Sequence, residues 1–484
     1  LGDVYKRQLF SSILLRQMEY DADRYTARTI GQKAAQDMLG ALPVLDVAMQ
    51  ATYSQLGRVW TEKRLPDSVP ALVANRVNEF DDNLRTKLAE ATKAEKTGWF
   101  DSHPATRDRV RALQREQHPA RFDVEGPASR LFTNFRVLSR IMTQQFYLEN
   151  LGPNAKHAEL VEVEAIEQQR QTQRTQAQSL TTYFGELLSP IRGVYPTDDP
   201  LPDDPDAIAE ELMAQRDRFA RAFDKAAEAR AAFNDADQKL AALEQLASAS
   251  SAGVKKLDYR KLGLVSDDEA VIRQKRLHLE SIRSSARAAI DKAIVPGMCR
   301  LRLALALDPE CAPPPVQEVE EESYDLKDDA SFASPIEGKL AALRAMRAAA
   351  DQIESLRRLF YRQQSLLANA EKYGREDHFV GAVISLSRKL SGEIEQLRTA
   401  LSTTVYPHES GHRAMMLTNY CFPNATHAED VAGTYNAADS GLDQFYGLYM
   451  RLLADLAERA EKMEAELGLM PLELKLAETA SLKQ

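Results

Sequence analysis

Two carboxylates near the start of the chain have the spacing of a pair that could do chemistry. Glu19 and Asp23 lie four residues apart in "RQMEYDADRYTARTIG" (16–31). Apolar residues recur nearby at helical spacing, which predicts a helix with both carboxylates on one face. Like charges on one face repel each other, and a buried carboxylate needs a cation. The pair therefore indicates either a solvated acidic patch or a site that binds a metal ion.

A second stretch, "SHPATRDR" (102–109), combines a histidine with an arginine six residues later. It is predicted to be a loop that enters a helix, with Ser102 as the N-cap and Pro104 in the first turn. His103 could then donate a hydrogen bond to developing negative charge, and Arg109 would lie on the helix. By itself, His103 fits a loop histidine beside a helix cap better than a catalytic group.

Together the two stretches resemble the motifs of a zinc metallopeptidase family, the one that contains the CAAX prenyl proteases and the HtpX heat-shock protease. That family has an E-x-x-A-D helix and then an S/T-H-P-x-x-x-x-R element, which here match Glu19 to Asp23 and Ser102 to Arg109. The resemblance implies that Glu19 is a Zn²⁺ ligand and that Asp23 hydrogen-bonds a ligating imidazole. It also implies that His103 stabilises the oxyanion of the tetrahedral intermediate and that Arg109 holds substrate backbone or braces the site.

The H-E-x-x-H motif of that family, which supplies two histidine ligands and the general-base glutamate, does not occur before Glu19. The chain opens with Leu1, and "DVYKRQ" (3–8) is similar to the translation of a transposase end sequence left by a DNA-library method. We therefore expect residues 1–8 to be an adapter scar. The missing motif and the membrane spans usual in the family are expected in a preceding segment. Since one carboxylate does not hold zinc, these residues alone are expected to be zinc-free and inactive.

A rival H-E-x-x-H motif lies far downstream, in "HESGH". On a helix its two imidazoles would share a face, which would give a gluzincin-like site. Pro407 allows a helix to begin only there, whereas a metallopeptidase helix normally carries apolar residues before the motif. The local pattern is more typical of a loop between helices. The alternative site would comprise His408, Glu409 as general base, His412, and Glu429 or Asp430 as third ligand.

Composition and charge limit the function classes. The chain has 484 residues, 44% of them hydrophobic, and a net charge of −10 with acidic and basic residues interleaved. Because phosphate binding needs clustered Lys and Arg, we expect no nucleic-acid partner. No run of 18 apolar residues occurs, so the sequence contains no predicted membrane span. Three cysteines over this length indicate no disulfide framework, which is typical of a reducing compartment.

The predicted fold class is all-α, with the C-terminal helices of a zincin-type peptidase domain followed by a long helical extension. Helix-forming residues dominate the second half, and no segment has a clear strand pattern. Within 206–248 apolar residues recur mostly at spacings of three, four or seven, which predicts a coiled-coil-like hairpin. The predicted segments are 1–8 (adapter scar), 9–115 (peptidase domain), 116–155 (connecting helix), 156–312 (helical hairpin region), 313–335 (acidic, proline-rich linker) and 336–484 (C-terminal helices).

The sequence therefore predicts part of a zinc-dependent metalloendopeptidase, in which zinc-activated water hydrolyses a peptide bond of a protein or peptide substrate. The complete protein is expected in a bacterial inner membrane, held by the preceding spans, with its peptidase domain facing the cytoplasm. The helical extension would act as a scaffold, with self-association through its helices. Two alternatives stay open, the gluzincin-like site at "HESGH" and a non-catalytic helical interaction protein.

Overall fold

The computed structural model describes residues 2–98, 101–116, 119–122, 126–191, 193–196, 200–255, 257, 269–309, 335–408 and 415–474. The predicted all-α class is confirmed, since 78% of the chain is helical and 2% is strand. Within these ranges, no helix is both long and apolar enough to cross a membrane. The predicted linker (313–335) lies outside them, apart from Pro335. Contacts divide the chain into two compact units, 1–168 and 169–484.

The first unit (1–168) is a set of helices joined by short turns and one pair of very short strands. Two 3₁₀ turns, η1 and η2, flank its last complete α-helix. Its elements are α1 (Gly2–Ile30), α2 (Gln32–Thr61), β1 (Arg64–Pro66), α3 (Val69–Glu79), α4 (Asp82–Ala94), α5 (Thr106–Leu113), η1 (Ala128–Leu131), α6 (Phe135–Leu151), η2 (Gly152–His157), β2 (Glu159–Val161) and the start of α7 (Val163–Phe184).

The break between α1 and α2 falls on Gly31, where φ is 90°. Glycine adopts this φ readily, whereas a Cβ here would be strained and would lie 3.2 Å from the Cβ of Ala120. The next helix begins at Gln32 and not at Pro43, although proline is typical of the first turn of a helix and would by itself predict a start there. Pro43 lies inside α2, and the helix continues through it despite the missing backbone N–H.

The two short strands pair residues near the end of the first unit with residues in its middle. β1 and β2 are parallel, in register from Arg64↔Glu159 to Pro66↔Val161. Three residues per strand are too few to show alternation, which is why the sequence analysis found no strand. A buried core lies around the pair and joins α2, α3, α6 and the start of α7. It includes Leu56, Leu65, Leu72, Tyr147 and Val163.

The second unit (169–484) is larger, and its main core draws residues from helices at both ends of the unit. The stretch 335–373 forms three helices with short breaks between them. After the remainder of α7 its elements are η3 (Gly185–Leu187), α8 (Pro205–Ser251), α9 (Glu269–Ala306), α10 (Pro335–Ala348), α11 (Ala350–Leu367), α12 (Ala370–Tyr373), α13 (Asp377–Ala400), α14 (Leu417–Cys421) and α15 (Val431–Glu466).

α8 and α9 are 47 and 38 residues long and pack against each other as a helical pair. The apolar residues whose spacing predicted this packing are buried between the helices, except Leu240, which is partly buried. Gly297 permits a close approach on α9, since a Cβ there would lie 3.2 Å from ring atoms of both Phe184 and Phe219. The buried residues of α8 include Leu212, Phe219, Phe223, Phe233 and Leu243, each at most 2% exposed.

A buried ion pair joins α9 to α15 inside this core. Arg300 donates to Glu464 through Nε–Oε1 at 2.6 Å and Nη2–Oε2 at 2.7 Å. The Tyr183 hydroxyl donates to Glu464 at 2.9 Å, and Arg300 donates to the Tyr183 carbonyl at 3.1 Å. Arg300 and Tyr183 are 1% exposed and Glu464 is 2% exposed. Arg216 also donates to Glu464. Removing Glu464 would therefore leave the buried guanidinium of Arg300 without its carboxylate partner, which is strongly destabilising.

A second charged cluster lies where α8, α9 and α11 meet. Arg357 donates to Asp237 at 2.7 and 3.0 Å and to Glu354 at 2.9 Å. Arg283 lies 2.9 Å from Asp237 and 3.0 Å from Glu354. Burial works to raise the pKa of both carboxyl groups, but Arg357 and Arg283 outweigh it and lower the pKa of each. The two carboxylates are therefore held in the ionised form.

Candidate functional site

The face of α1 that meets α5 brings the four predicted site residues together. Arg109, on α5, donates to both carboxylate oxygens of Asp23, Nε to Oδ2 at 2.8 Å and Nη2 to Oδ1 at 2.7 Å. The Nη1 atom of Arg109 lies 3.3 Å from Oε2 of Glu19. His103 hydrogen-bonds Oε1 of Glu19 through Nδ1. The four side chains form one continuous line of polar contacts, in the order His103, Glu19, Arg109, Asp23.

The exposed fraction of the side chains rises from Asp23 at one end of this line to His103 at the other. The Asp23 side chain is 5% exposed, those of Arg109 and Glu19 are 21% and 25% exposed, and that of His103 is 75% exposed. Within the described residues, Oε2 of Glu19 is buried and accepts no hydrogen bond, although the charge of Arg109 is near. Asp23, at the buried end, can therefore orient the site, while His103, at the exposed end, is accessible to a ligand.

Each clustered carboxylate of α1 meets a cation, which explains how one helix tolerates them. Asp23 and Glu19 share Arg109, and the hydrogen bonding to Asp23 raises the pKa of that guanidinium. Asp21 points to Arg24 instead, at 3.0 Å, and Arg24 also donates to Glu116 at 2.8 Å. Asp21 is half exposed and takes no part in the line of site contacts.

Arg16, which neither sequence motif includes, ties α1 to the loop carrying His103. Arg16 donates to the carbonyl oxygens of Gly98 at 3.2 Å and Asp101 at 2.7 Å. Asp101 lies two residues before His103, so this contact fixes the loop beside Glu19. Arg16 precedes Glu19 by three residues, and this helical spacing is the signal that could have placed both on one face.

Helix α5 begins at Thr106, so the predicted N-cap at Ser102 is wrong. Thr97, further back in the loop, supports the start of the helix instead. Its hydroxyl accepts a hydrogen bond from the Ala105 amide at 2.8 Å and donates to Asp108 at 2.7 Å. The hydrogen bond from Thr97 lowers the pKa of Asp108, so the carboxylate stays ionised in the first turn of α5, where the helix dipole favours negative charge.

A cleft of about 500 Å³ lies beside the buried end of the site. Its lining is mostly polar or charged, including Tyr20, Asp23, Arg24, Asp108 and Arg111. Burial, followed by the charge of Asp108, raises the pKa of Tyr20, so its hydroxyl remains a hydrogen-bond donor. A cleft with this lining offers partners for the polar groups of a peptide backbone more than for an apolar ligand.

Zinc, the metal that the resemblance implies, needs three or four protein ligands. Across the described ranges, no group of three or more His, Cys, Asp or Glu side chains could hold a metal ion. At the α1–α5 site Asp23 is engaged by Arg109, which leaves Glu19 and His103 as possible ligands, fewer than zinc needs. These residues do not fit a zinc ion by themselves, and a zinc centre here would need further ligands.

The rival motif does not place His408 in a helix. An isolated antiparallel bridge joins Val405 to Met416, and His408 lies in a bend that follows the first of these residues. The bend at His408 agrees with the loop that was predicted for this motif. Glu409 and His412 lie outside the described residues.

The proposed third ligands of that motif have other surroundings. Glu429 is exposed in a turn, and Asp430 caps α15 through its side chain. The side chain of His408 is 9% exposed and faces Asp455, with 3.6 Å between Nδ1 and Oδ2. Burial, followed by the charge of Arg451, lowers the pKa of His408 well below its usual value. The described contacts of His408 are those of a neutral histidine in a polar core.

No protein-family model, curated protein or solved structure matches this chain. The functional assignment therefore depends on the geometry of the α1–α5 site and on the two motifs that meet there. Two of its four residues lie on one helix, and the other two come from a loop and helix more than 80 positions later.

Proposed function

We propose that the α1–α5 site is part of the active centre of a zinc-dependent metalloendopeptidase. The observation that supports this most is the convergence of Glu19 and Asp23 with His103 and Arg109. The two motifs are far apart in sequence, and the family pattern requires their side chains to meet. In the bound centre, zinc would supply the activated water that attacks the peptide carbonyl. Glu19 is the ligand that these residues would contribute.

The roles of the other three residues follow from their contacts. Arg109 neutralises Asp23 and fixes the distance between α1 and α5, so it positions the site. His103 is the exposed member, and its ring can reach a bound substrate. Because Nδ1 is engaged with Glu19, Nε2 carries a proton for an oxyanion only in the imidazolium form, or after the Glu19 contact is released.

The outer face of α1 supports the idea that further peptidase elements pack here. Leu14, Met18 and Tyr25 are 63%, 59% and 67% exposed, whereas Asp23 and Ala27 are buried. An exposed apolar stripe along a helix normally marks a surface that another element covers. We infer that the H-E-x-x-H helix, with its two histidine ligands and general base, covers this stripe in the complete peptidase domain.

The second unit would serve the peptidase as a scaffold. Its long α8–α9 pair and its buried ionic clusters give a rigid helical body. Such a body could limit which substrates reach the site or hold protein partners. The complete protein would then be membrane-associated through segments other than those described, and would act on proteins or peptides.

The proposal is tested first by reading the source gene upstream of residue 9. It requires an H-E-x-x-H motif within roughly a hundred codons, preceded by apolar stretches of about 20 residues. A start codon just before Leu9, with no such motif, would contradict the proposal. The gluzincin-like site at His408 or a non-catalytic helical interaction protein would then remain.

A further inference from the structure

The loop that carries His103 joins α4 to α5, and its two ends are held together at the start of α5. The Thr97 hydroxyl accepts a hydrogen bond from the Ala105 amide at 2.8 Å and donates to Asp108 at 2.7 Å. These contacts fix the base of the loop on α5. The part of the loop that lies beside α1 needs contacts of its own, because His103 is six residues beyond Thr97.

Gly98 and Asp101 supply one of these contacts by bonding to each other. The Gly98 amide donates to the Asp101 carboxylate at 2.5 Å, and the Asp101 amide donates weakly to the Gly98 carbonyl at 3.4 Å. A Cβ at position 98 would lie 2.9 Å from Oδ2 of Asp101, so glycine allows this close approach. The carbonyl oxygens of both residues then accept hydrogen bonds from α1.

Arg16 is the donor on α1. Its Nη1 atom lies 3.2 Å from the Gly98 carbonyl oxygen and 2.7 Å from that of Asp101. Hydrogen bonds from a charged donor are roughly twice as strong as those between neutral groups. Because Asp101 lies two residues before His103, Arg16 fixes the backbone from which the histidine side chain extends.

The same turn of α1 carries both Arg16 and the carboxylate that His103 contacts. Arg16 precedes Glu19 by three residues, which places them on one face of the helix. The His103 side chain is 75% exposed and hydrogen-bonds Glu19. Since so little of the ring is packed, its location depends on the loop backbone. One helical turn therefore sets the position of the loop relative to Glu19.

We propose that Arg16 is a positioning residue of the peptidase centre, which keeps His103 beside Glu19, where the oxyanion would form. This role rests on the proposed function, and Arg16 acts through the loop without touching the substrate. A displacement of about 1 Å at a reacting group can cost about a hundredfold in rate. The loss falls on kcat and not on KM, because the oxyanion forms only after the substrate has bound.

The kinetic test uses the protein expressed from the source gene, including any segment upstream of residue 9, with an unfolded protein as substrate. Arg16→Gln should lower kcat by roughly ten- to a hundredfold and change KM by less than about threefold. Arg16→Lys should recover most of the rate, because an ammonium group can donate to both carbonyls. Arg28→Gln is the matched control and should keep the wild-type kcat. Arg28 is exposed on the same helix, and its described contact is the ring of Tyr25.

A second measurement follows the loop itself and needs no peptidase activity. Lys96 is exposed at the start of the loop, and trypsin cleaves after it only when the segment on both sides opens locally. In the 484-residue chain, cleavage at this bond should be roughly threefold or more faster in Arg16→Gln than in the wild type, as measured by mass spectrometry. Arg16→Lys and Arg28→Gln should be cleaved at the wild-type rate.

Two results would overturn the role of Arg16 in variants that circular dichroism shows to be folded, with Arg16→Met in place of Arg16→Gln if the latter does not fold. One is a kcat equal to that of Arg28→Gln, which would mean that the loop contact does not affect the reaction. The other is equal cleavage after Lys96, which would mean that Arg16 does not hold the loop. Wild-type proteolysis in Glu19→Gln would overturn the proposed function and this role together, so the two failures are distinguishable.

Discussion

Arg109 holds Asp23 through two hydrogen bonds, although the two residues lie 86 positions apart in the sequence. The carboxylate is 5% exposed and the guanidinium 21% exposed, so the pair connects α1 to α5 at the inner edge of the site. The same guanidinium lies 3.3 Å from Glu19. One cation thus sets the position of both carboxylates.

The pair of Arg109 and Asp23 should stabilise the first unit. Arg109→Gln leaves Asp23 buried without its cation, and we expect the free energy of unfolding of the first unit to fall by about 2 kcal/mol. Urea unfolding followed by Trp fluorescence measures this, because Trp60 lies in the first unit. Arg111→Gln is the control, since Arg111 is 62% exposed, and it should change the value by less than about 0.5 kcal/mol. Equal effects of the two substitutions would contradict the assigned role.

The pairing itself could not be predicted from local sequence. The spacing of Glu19 and Asp23 predicts their common helix face, and the structure has both on that face of α1. The contacts to His103 and Arg109 are tertiary, and only the resemblance to a peptidase family indicated them. Loop geometry was predicted less well, because Ala105 and not Ser102 stands at the N-cap position of α5, and Thr97 accepts a hydrogen bond from its amide.

The fold class was predictable because helix propensity and apolar spacing act over long segments. Helix boundaries were less predictable. Pro43 has the residue type of a helix start but lies inside α2, and strands of three residues are too short to show a hydrophobic period. The exposure of the apolar strip on α1 could not be predicted either, because residue spacing shows that a helix is amphipathic but not which face another element covers.

Acid should destabilise the second unit through the cluster around Arg357. The pKa of Asp237 and of Glu354 is lower in the folded state than in the unfolded chain. Their stabilising contribution is therefore complete above about pH 5, and it is lost as pH falls through the folded pKa, because the unfolded state binds protons first. Unfolding at a series of pH values measures the slope. Asp237→Asn should flatten it, and an unchanged slope would exclude this cluster as its source.

The buried pair of Arg300 and Glu464 should contribute strongly to the second unit. Glu464→Gln leaves the guanidinium without a counter-charge in the core, and we expect a loss of about 3 kcal/mol in the free energy of unfolding. Glu466→Gln provides the comparison, because Glu466 is exposed on the same helix. Thermal unfolding of both variants measures the difference in stability. If Glu464→Gln is as stable as Glu466→Gln, the network does not stabilise the core.

The 484-residue chain should take up far less than one zinc ion per molecule. The α1–α5 site offers one carboxylate ligand, and a stable zinc site needs three or four ligands. Elemental analysis after dialysis against zinc measures this. Stoichiometric uptake would contradict the expectation, and its loss in His412→Ala would identify "HESGH" as the metal site.

The most direct test of the central claim compares Glu19→Gln with Asp21→Asn in the protein expressed from the source gene, including any segment upstream of residue 9. Both substitutions remove one negative charge from the same helix, but among the described residues the Asp21 carboxylate hydrogen-bonds Gln17 and Arg24 and not the other members of the α1–α5 site. Cleavage of an unfolded protein substrate should fall by at least about a hundredfold in Glu19→Gln. Asp21→Asn should cleave like the wild type. If Glu19→Gln retains wild-type proteolysis, the α1–α5 site is not a peptidase centre.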